Sequence, residues 1–127
     1  MRQTMIQKIP KAELKVMRFI WEKNSEVTSK EVIKAMENEY GWKQTTTLTL
    51  LSRLVKKEFL LAEKIDRYTH YKIIVENREY LNFETKNFMS DMHNGSLESL
   101  LISLYEDNIL DKDKFEILIE IANDLDK

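Results

Sequence analysis

The segment that most restricts the fold of this chain runs from Trp42 to Lys57, with the sequence WKQTTTLTLLSRLVKK. Plotted at about 100° per residue, it separates into an apolar face and a polar face, as an amphipathic helix does. Three consecutive threonines favour a strand, but the leucines that follow at helical spacing outweigh that preference. The apolar face contains Thr47, Leu50, Leu51, Leu54 and Val55, and the polar face contains Thr45, Thr46, Thr49, Ser52, Arg53 and Lys56.

The polar face of this helix has the chemistry that DNA recognition requires. Short hydroxyl side chains lie towards its N-terminal end, and Arg53 and Lys56 lie towards its C-terminal end. A helix in a major groove uses small hydrogen-bonding side chains at base edges and Arg or Lys at phosphates. The segment therefore predicts a recognition helix; an ordinary amphipathic helix with a solvated polar face is the alternative that these residues leave open.

The preceding segments predict the first half of a helix-turn-helix unit. Apolar residues at helical spacing indicate a helix over Lys11–Lys23, and Asn24–Val27 suits a short bridging strand. Thr28 and Glu31 have the spacing of a capping box, which opens a second helix that ends near Gly41. Because so few residues separate this helix from the recognition helix, the two have the spacing of a helix-turn-helix.

Two predicted strands follow the recognition helix and complete a winged helix. Phe59–Ile65 and Thr69–Val75 are rich in β-branched, leucine and aromatic residues, and a short polar turn at Asp66-Arg67 separates them. Lys64 and Arg67 lie where such a wing would meet the sugar-phosphate backbone. A hairpin that makes no DNA contact is the alternative.

From Asn77 onwards the chain becomes acidic and predicts three helices, with breaks at Asn94-Gly95 and Asp107-Asn108. Apolar residues cover too much of the last helix for it to lie on one small neighbour. A monomer would expose an apolar patch, so pairing with a second copy about a two-fold axis is predicted, with a closed three-helix subdomain as the alternative. The candidate dimerisation residues are Leu97, Leu100, Leu101, Leu104, Phe115, Leu118, Ile121, Ala122 and Leu125.

Charge divides the chain at the same place. Residues 1–75 hold 15 Lys and Arg against 9 Asp and Glu, a net charge of +6, whereas residues 76–127 hold 5 against 13, a net charge of −8. Such asymmetry indicates a basic half that faces nucleic acid and an acidic half with another task. The sequence therefore predicts a winged-helix DNA-binding domain over residues 1–75 and a helical dimerisation domain over residues 76–127.

Composition points to a globular protein of the cytoplasm and gives no support to catalysis. The chain has no cysteine, no apolar run long enough to insert in a membrane and no signal-peptide core. His70 and His93 are far apart, without metal-ligand spacing or a third ligand, and no phosphate loop or nucleophile motif is present. Asp111-Lys112-Asp113 lacks the glycine and the distal glutamate of a calcium loop, and a helix cap explains it better. We expect no enzymatic activity, no cofactor and no metal.

Two segments together resemble the BlaI/MecI/CopY penicillinase-repressor family. They are IPKAELKVMRFIW, residues 9–21, and the recognition helix with Trp42, Thr46 and TLLSRLVKK from Thr49. The similarity extends along essentially the whole chain. It implies a homodimeric winged-helix repressor that binds double-stranded DNA at an inverted-repeat operator. In antibiotic-responsive members it also implies a membrane-bound β-lactam sensor protease as partner, and repression ends when the repressor is cleaved within its dimerisation helices.

The family's residues carry over unevenly. Thr46, Thr49 and Arg53 match its recognition helix. Many relatives have Lys or Arg at the position of Leu48, so either a phosphate or base contact is missing here, or Leu48, at the edge of the polar face, meets a thymine methyl and alters the operator preference. The Asn-Phe bond that is cleaved in antibiotic-responsive relatives corresponds to Ser103-Leu104. The copper-responsive branch ends in a cysteine-rich metal hook, which this chain lacks.

The sequence thus predicts a mainly α fold with a small β wing, namely an N-terminal winged helix-turn-helix followed by a three-helix dimerisation region. Its predicted function is repression of a β-lactamase or antibiotic-resistance operon. A protein-interaction module, or a repressor of the same family with a different inducer, is the alternative. The candidate DNA-binding residues are Lys43, Thr45, Thr46, Leu48, Thr49, Arg53, Lys56, Lys64 and Arg67.

Overall fold

The computed structural model describes residues 5–125, and within them the predicted fold class is confirmed: three helices and a small sheet precede three further helices. The sheet has the order β1-β3-β2, with both pairs antiparallel. The elements in chain order are α1 (Lys11–Lys23), β1 (Val27–Thr28), α2 (Ser29–Tyr40), α3 (Gln44–Lys56), β2 (Leu60–Ile65), β3 (Tyr68–Ile73), α4 (Asn77–His93), α5 (Leu97–Glu106) and α6 (Lys112–Leu125).

Local signals at both ends of α2 produce the helix-turn-helix. The Glu31 backbone N–H donates to Thr28 Oγ1 at 3.2 Å, and the Thr28 backbone N–H donates to Glu31 Oε1 at 3.1 Å, which is the predicted capping box. Gly41 ends the helix with a φ of 69°, a left-handed conformation that glycine adopts without steric cost. The short connection that results sets α3 directly after α2.

The core of the N-terminal unit lies between the first three helices and the sheet. Phe59 is fully buried at the start of the hairpin, and the Trp21 indole N–H donates to the Val75 carbonyl at 2.9 Å. Burial also raises the pKa of the Tyr71 phenol on β3, an effect that a side-chain hydrogen bond with Thr69 partly offsets. The Phe59 backbone N–H donates to the Leu54 carbonyl at 2.9 Å. The core therefore joins α1 to the segment after the hairpin, and the end of α3 to the segment before it.

The buried side of α3 contains a local defect, the hydroxyl of Thr47. This side chain is fully buried, and among the described residues its Oγ1 has no hydrogen-bond partner. Because an unpaired buried hydroxyl is costly, Thr47→Val is expected to raise the free energy of unfolding by about 1 kcal/mol. Thr47→Ser, which keeps the hydroxyl and loses the methyl group, is expected to lower it. Denaturant unfolding measures both, and a destabilised valine variant would contradict this assignment.

The chain divides into two compact units, the first ending at Leu81 and the second beginning at Asn82. This division falls within α4, later than the boundary predicted after residue 75. The reason is Tyr80, which is buried against Trp21 and Phe59 at ring-centroid distances of 5.8 and 5.5 Å. Its hydroxyl also accepts the Ile9 backbone N–H at 3.1 Å. The first turn of α4 thus belongs to the packing of the N-terminal unit.

In the second unit α5 packs against α6. Tyr105 and Phe115 stack with ring centroids 4.4 Å apart. Asp111, immediately before α6, caps this helix, because its Oδ1 accepts the Lys114 backbone N–H at 2.9 Å. Of the predicted dimerisation residues, Leu101 and Ala122 are buried inside the unit, so its own packing already accounts for them. The others are partly or largely exposed: Leu97, Leu100, Leu104, Phe115, Leu118, Ile121 and Leu125.

Candidate nucleic-acid interface

The polar face of α3 is fully presented to solvent. Its apolar side is seated on the core through Leu50, Leu51 and Leu54, which orients the opposite side outwards. All the polar-face residues that the periodicity predicted are exposed, namely Thr45, Thr46, Thr49, Ser52, Arg53 and Lys56. Ser52, which was assigned to the polar face but not to the DNA-binding set, is exposed between them.

Four of the candidate DNA-binding residues, together with Leu50, line one shallow open depression: Thr45, Thr46, Thr49 and Arg53. The Thr49 hydroxyl donates to the Thr45 carbonyl at 2.9 Å, within the helix. Because its one hydrogen is used in this bond, the exposed hydroxyl is left as an acceptor, suited to the amino groups of adenine or cytosine in the major groove. The exposed Arg53 guanidinium offers the complementary donors.

Two aromatic rings stack at the turn between α2 and α3. Tyr40 and Trp42 stack across Gly41 with ring centroids 5.0 Å apart, and Lys15 Nζ lies 4.6 Å from the centre of the Tyr40 ring. The exposed Lys43 forms the N-terminal boundary of α3 and makes no side-chain cap. This stack was not predicted from the sequence, where the available signal was two aromatic residues on either side of a turn glycine.

An ion pair anchors the other end of α3. Lys57, immediately after the helix, places its Nζ 2.6 Å from Oε1 of Glu13, and this α1 carboxylate is 1% exposed. The adjacent Lys56 is exposed on the polar face, so two neighbouring lysines have different roles. This ion pair was not predicted either. The available signal was the position of Glu13 one helical turn before Met17, within the apolar stripe of α1.

The wing presents its two candidate cations at the tip. Lys64 lies opposite Thr69 in the hairpin register, and Arg67 is in the turn, where Asp66 adopts a φ of 57°. Both cations are exposed. Asp66 takes the left-handed conformation in place of the glycine that such turns usually contain, which aspartate tolerates better than most residues.

The two histidines have structural neighbours. His70 Nδ1 lies 3.6 Å from Oε1 of Glu26, and His93 Nδ1 lies 2.7 Å from Ser99 Oγ. Within residues 5–125 no three acidic, histidine or cysteine side chains group as metal ligands, and no helix is long and apolar enough to cross a bilayer.

The sequence of this chain is similar to those of a known protein family. The family model described as "Penicillinase repressor" matches residues 9–124. This chain belongs to the penicillinase repressor family. The penicillinase repressor of Bacillus licheniformis is 31% identical over 119 residues, which cover 94% of this chain and 92% of that protein. The methicillin resistance regulatory protein MecI of Staphylococcus aureus (strain N315) is 30% identical over 115 residues, which cover 91% and 93%.

Solved structures of the family match the winged-helix part. The solution structure of the DNA-binding domain of the repressor BlaI is 36% identical, with a TM-score of 0.56, and covers 61% of this chain and 94% of that one. The solution structure of monomeric Bacillus licheniformis BlaI with the blaP half-operator is also 36% identical, with a TM-score of 0.51, and covers 60% and 92%. The part of this chain that these structures cover thus shares the fold of the BlaI DNA-binding domain.

Proposed function

We propose that this penicillinase-repressor family member is a homodimeric transcriptional repressor of an inverted-repeat operator in a β-lactamase or antibiotic-resistance operon. The observation that carries the proposal is the exposed hydroxyl-and-cation face of α3, in a domain whose fold matches a repressor bound to half-operator DNA. The names of its relatives, a penicillinase repressor and a methicillin resistance regulator, support the choice of operon.

In the proposed complex, each protomer places α3 in one major groove. Thr45, Thr46, Thr49 and Arg53 would contact base edges, which specify the sequence. The cations around this face would hold phosphates: Lys43, Lys56, Lys64 and Arg67. These four contacts per protomer make eight per dimer, so the logarithm of affinity should fall with the logarithm of salt with a slope of about −7.

The second unit supports the dimer because its helices leave large apolar side chains uncovered. Ile117, Ile121 and Leu125 on α6 are 63%, 51% and 68% exposed, and Ile109 before α6 is 70% exposed. A two-fold interface that covered them would remove apolar surface that a monomer leaves in water. Ile109 and Ile117 extend the set of dimerisation residues beyond those assigned from the sequence.

We also propose that a β-lactam sensor protease ends repression by cleaving Ser103-Leu104. This bond lies within α5, where the Ser103 carbonyl accepts the Asp107 N–H at 3.1 Å and the Leu104 carbonyl accepts the Ile109 N–H at 2.9 Å. Cleavage therefore requires the end of α5 to open locally. After co-expression with a β-lactam sensor protease, we expect the intact mass to be replaced by fragments 1–103 and 104–127. A chain that stayed whole would favour a different inducer.

The test of the proposed function is DNA binding by the full chain. The protein is titrated into a duplex from upstream of its own gene and, separately, into random DNA, each at two salt concentrations. Sedimentation gives the stoichiometry. We expect palindrome-dependent binding by one dimer per site, with the steep salt slope given above. Weak binding that is equal on both duplexes would overturn the repressor and favour a protein-interaction module, which should show neither palindrome preference nor steep salt dependence.

A further inference from the structure

One leucine of α3 does not contribute to the core in the way its neighbours do. Leu50, Leu51 and Leu54 are at most 6% exposed, whereas Leu48 is 37% exposed. On the helix, Leu48 lies one turn from Thr45 and one turn from Ser52, both exposed on the polar face. The structure therefore sets a large apolar side chain at the border of the surface proposed to enter the groove.

The chemistry of the major groove restricts what this side chain can contact. Leucine has no hydrogen-bonding group. Packed against the amino group of adenine or cytosine, or the carbonyl of guanine, it would displace the water bound to that group and offer no hydrogen bond in return. Thymine alone presents an apolar group on this edge, its C5-methyl. A leucine at this position thus favours thymine through contact and disfavours the other bases through desolvation.

We propose that Leu48 is a specificity-determining residue that reads the methyl group of one thymine in each operator half-site. The inference rests on the proposed function, because it requires α3 to enter the major groove. An isolated exposed leucine is common on protein surfaces. Leu48 differs from such residues because it lies next to the threonines and Ser52, on the face of α3 that is proposed to contact base edges.

The experiment uses the full chain and a palindromic duplex selected from a randomised library by that chain. Each thymine is replaced in turn by deoxyuridine, which lacks only the methyl group, and affinities are measured for the unmodified chain and for Leu48→Ala. We expect one thymine per half-site at which deoxyuridine weakens the unmodified chain about four-fold, the value of one buried methyl group. Leu48→Ala should bind the two duplexes equally at that position.

A matched control separates this effect from a general loss of apolar surface. Leu61 on β2 is also exposed, at 53%, and lies outside α3. Leu61→Ala should keep the full response to deoxyuridine. If deoxyuridine changed the affinity of the unmodified chain and of Leu48→Ala equally at every thymine of the selected motif, the role of Leu48 would be overturned. The proposed function would stand. Failure of the selection to enrich any motif would overturn both.

Discussion

Replacing Lys57 with methionine is expected to lower the free energy of unfolding by about 2–3 kcal/mol. The Lys57 ammonium lies 2.6 Å from the Glu13 carboxylate, which is 1% exposed. Removing the ammonium leaves that carboxylate buried without its counter-charge, and breaking a buried pair from one side is strongly destabilising. The expected value lies at or below the loss of about 3–5 kcal/mol that a fully buried pair shows, because the Lys57 side chain is 23% exposed. Urea denaturation measures the effect.

Two variants test whether the ion pair is the cause. Lys56→Met removes the neighbouring lysine, whose side chain is exposed, and should change stability by less than about 0.5 kcal/mol. Glu13→Leu combined with Lys57→Met removes both charges and should recover most of the lost stability, since a buried pair is worth little relative to apolar residues of similar size. If the double variant were as unstable as Lys57→Met, the loss would come from the lysine's packing and not from the buried charge.

Much of the fold was predictable because the signals are local. The capping box at Thr28 and Glu31, the left-handed stop at Gly41 and the break at Gly95 depend only on neighbouring residues. The polar face of α3 was predictable for a related reason: helical periodicity divides a segment into two faces once its leucines are assigned to the core. The presentation of this face to solvent therefore followed from the sequence.

The features that the sequence did not reveal depend on contacts between distant segments. Glu13 and Lys57 pair across 44 positions, and Tyr80 reaches Ile9 across 71. Both Lys56 and Lys57 carry a charge, so the sequence predicts that both face solvent. Only the packing of α1 against α3 shows that Lys57 pairs with a buried carboxylate and Lys56 does not. The compact units divide after Leu81, whereas the composition changes after Val75. The difference has the same cause, because composition does not show that Tyr80 packs in the N-terminal core.

Arg53→Ala is expected to weaken operator binding by about 30-fold or more, because one guanine contact is lost in each half-site. Arg53 is exposed on α3 one turn after Thr49 and lines the same depression as Thr45 and Thr46. Arginine from a helix in the major groove binds guanine through two hydrogen bonds, each such pair contributing about 1–3 kcal/mol of discrimination. In a dimer the loss occurs in both half-sites. Titration of the selected duplex and of random DNA measures it, and the expected loss is confined to the selected duplex.

Two further variants distinguish base contact from charge. Arg18→Ala removes the same charge from an exposed position on α1 and should leave operator binding nearly unchanged. Arg53→Lys keeps the charge but not the planar pair of donors, so it should retain the salt slope and lose most of the discrimination. Full recovery of affinity in Arg53→Lys would assign Arg53 to a phosphate instead. Sequence reading by α3 would then rest on the threonines and Leu48, since these are the remaining side chains on that face that were assigned to base contact.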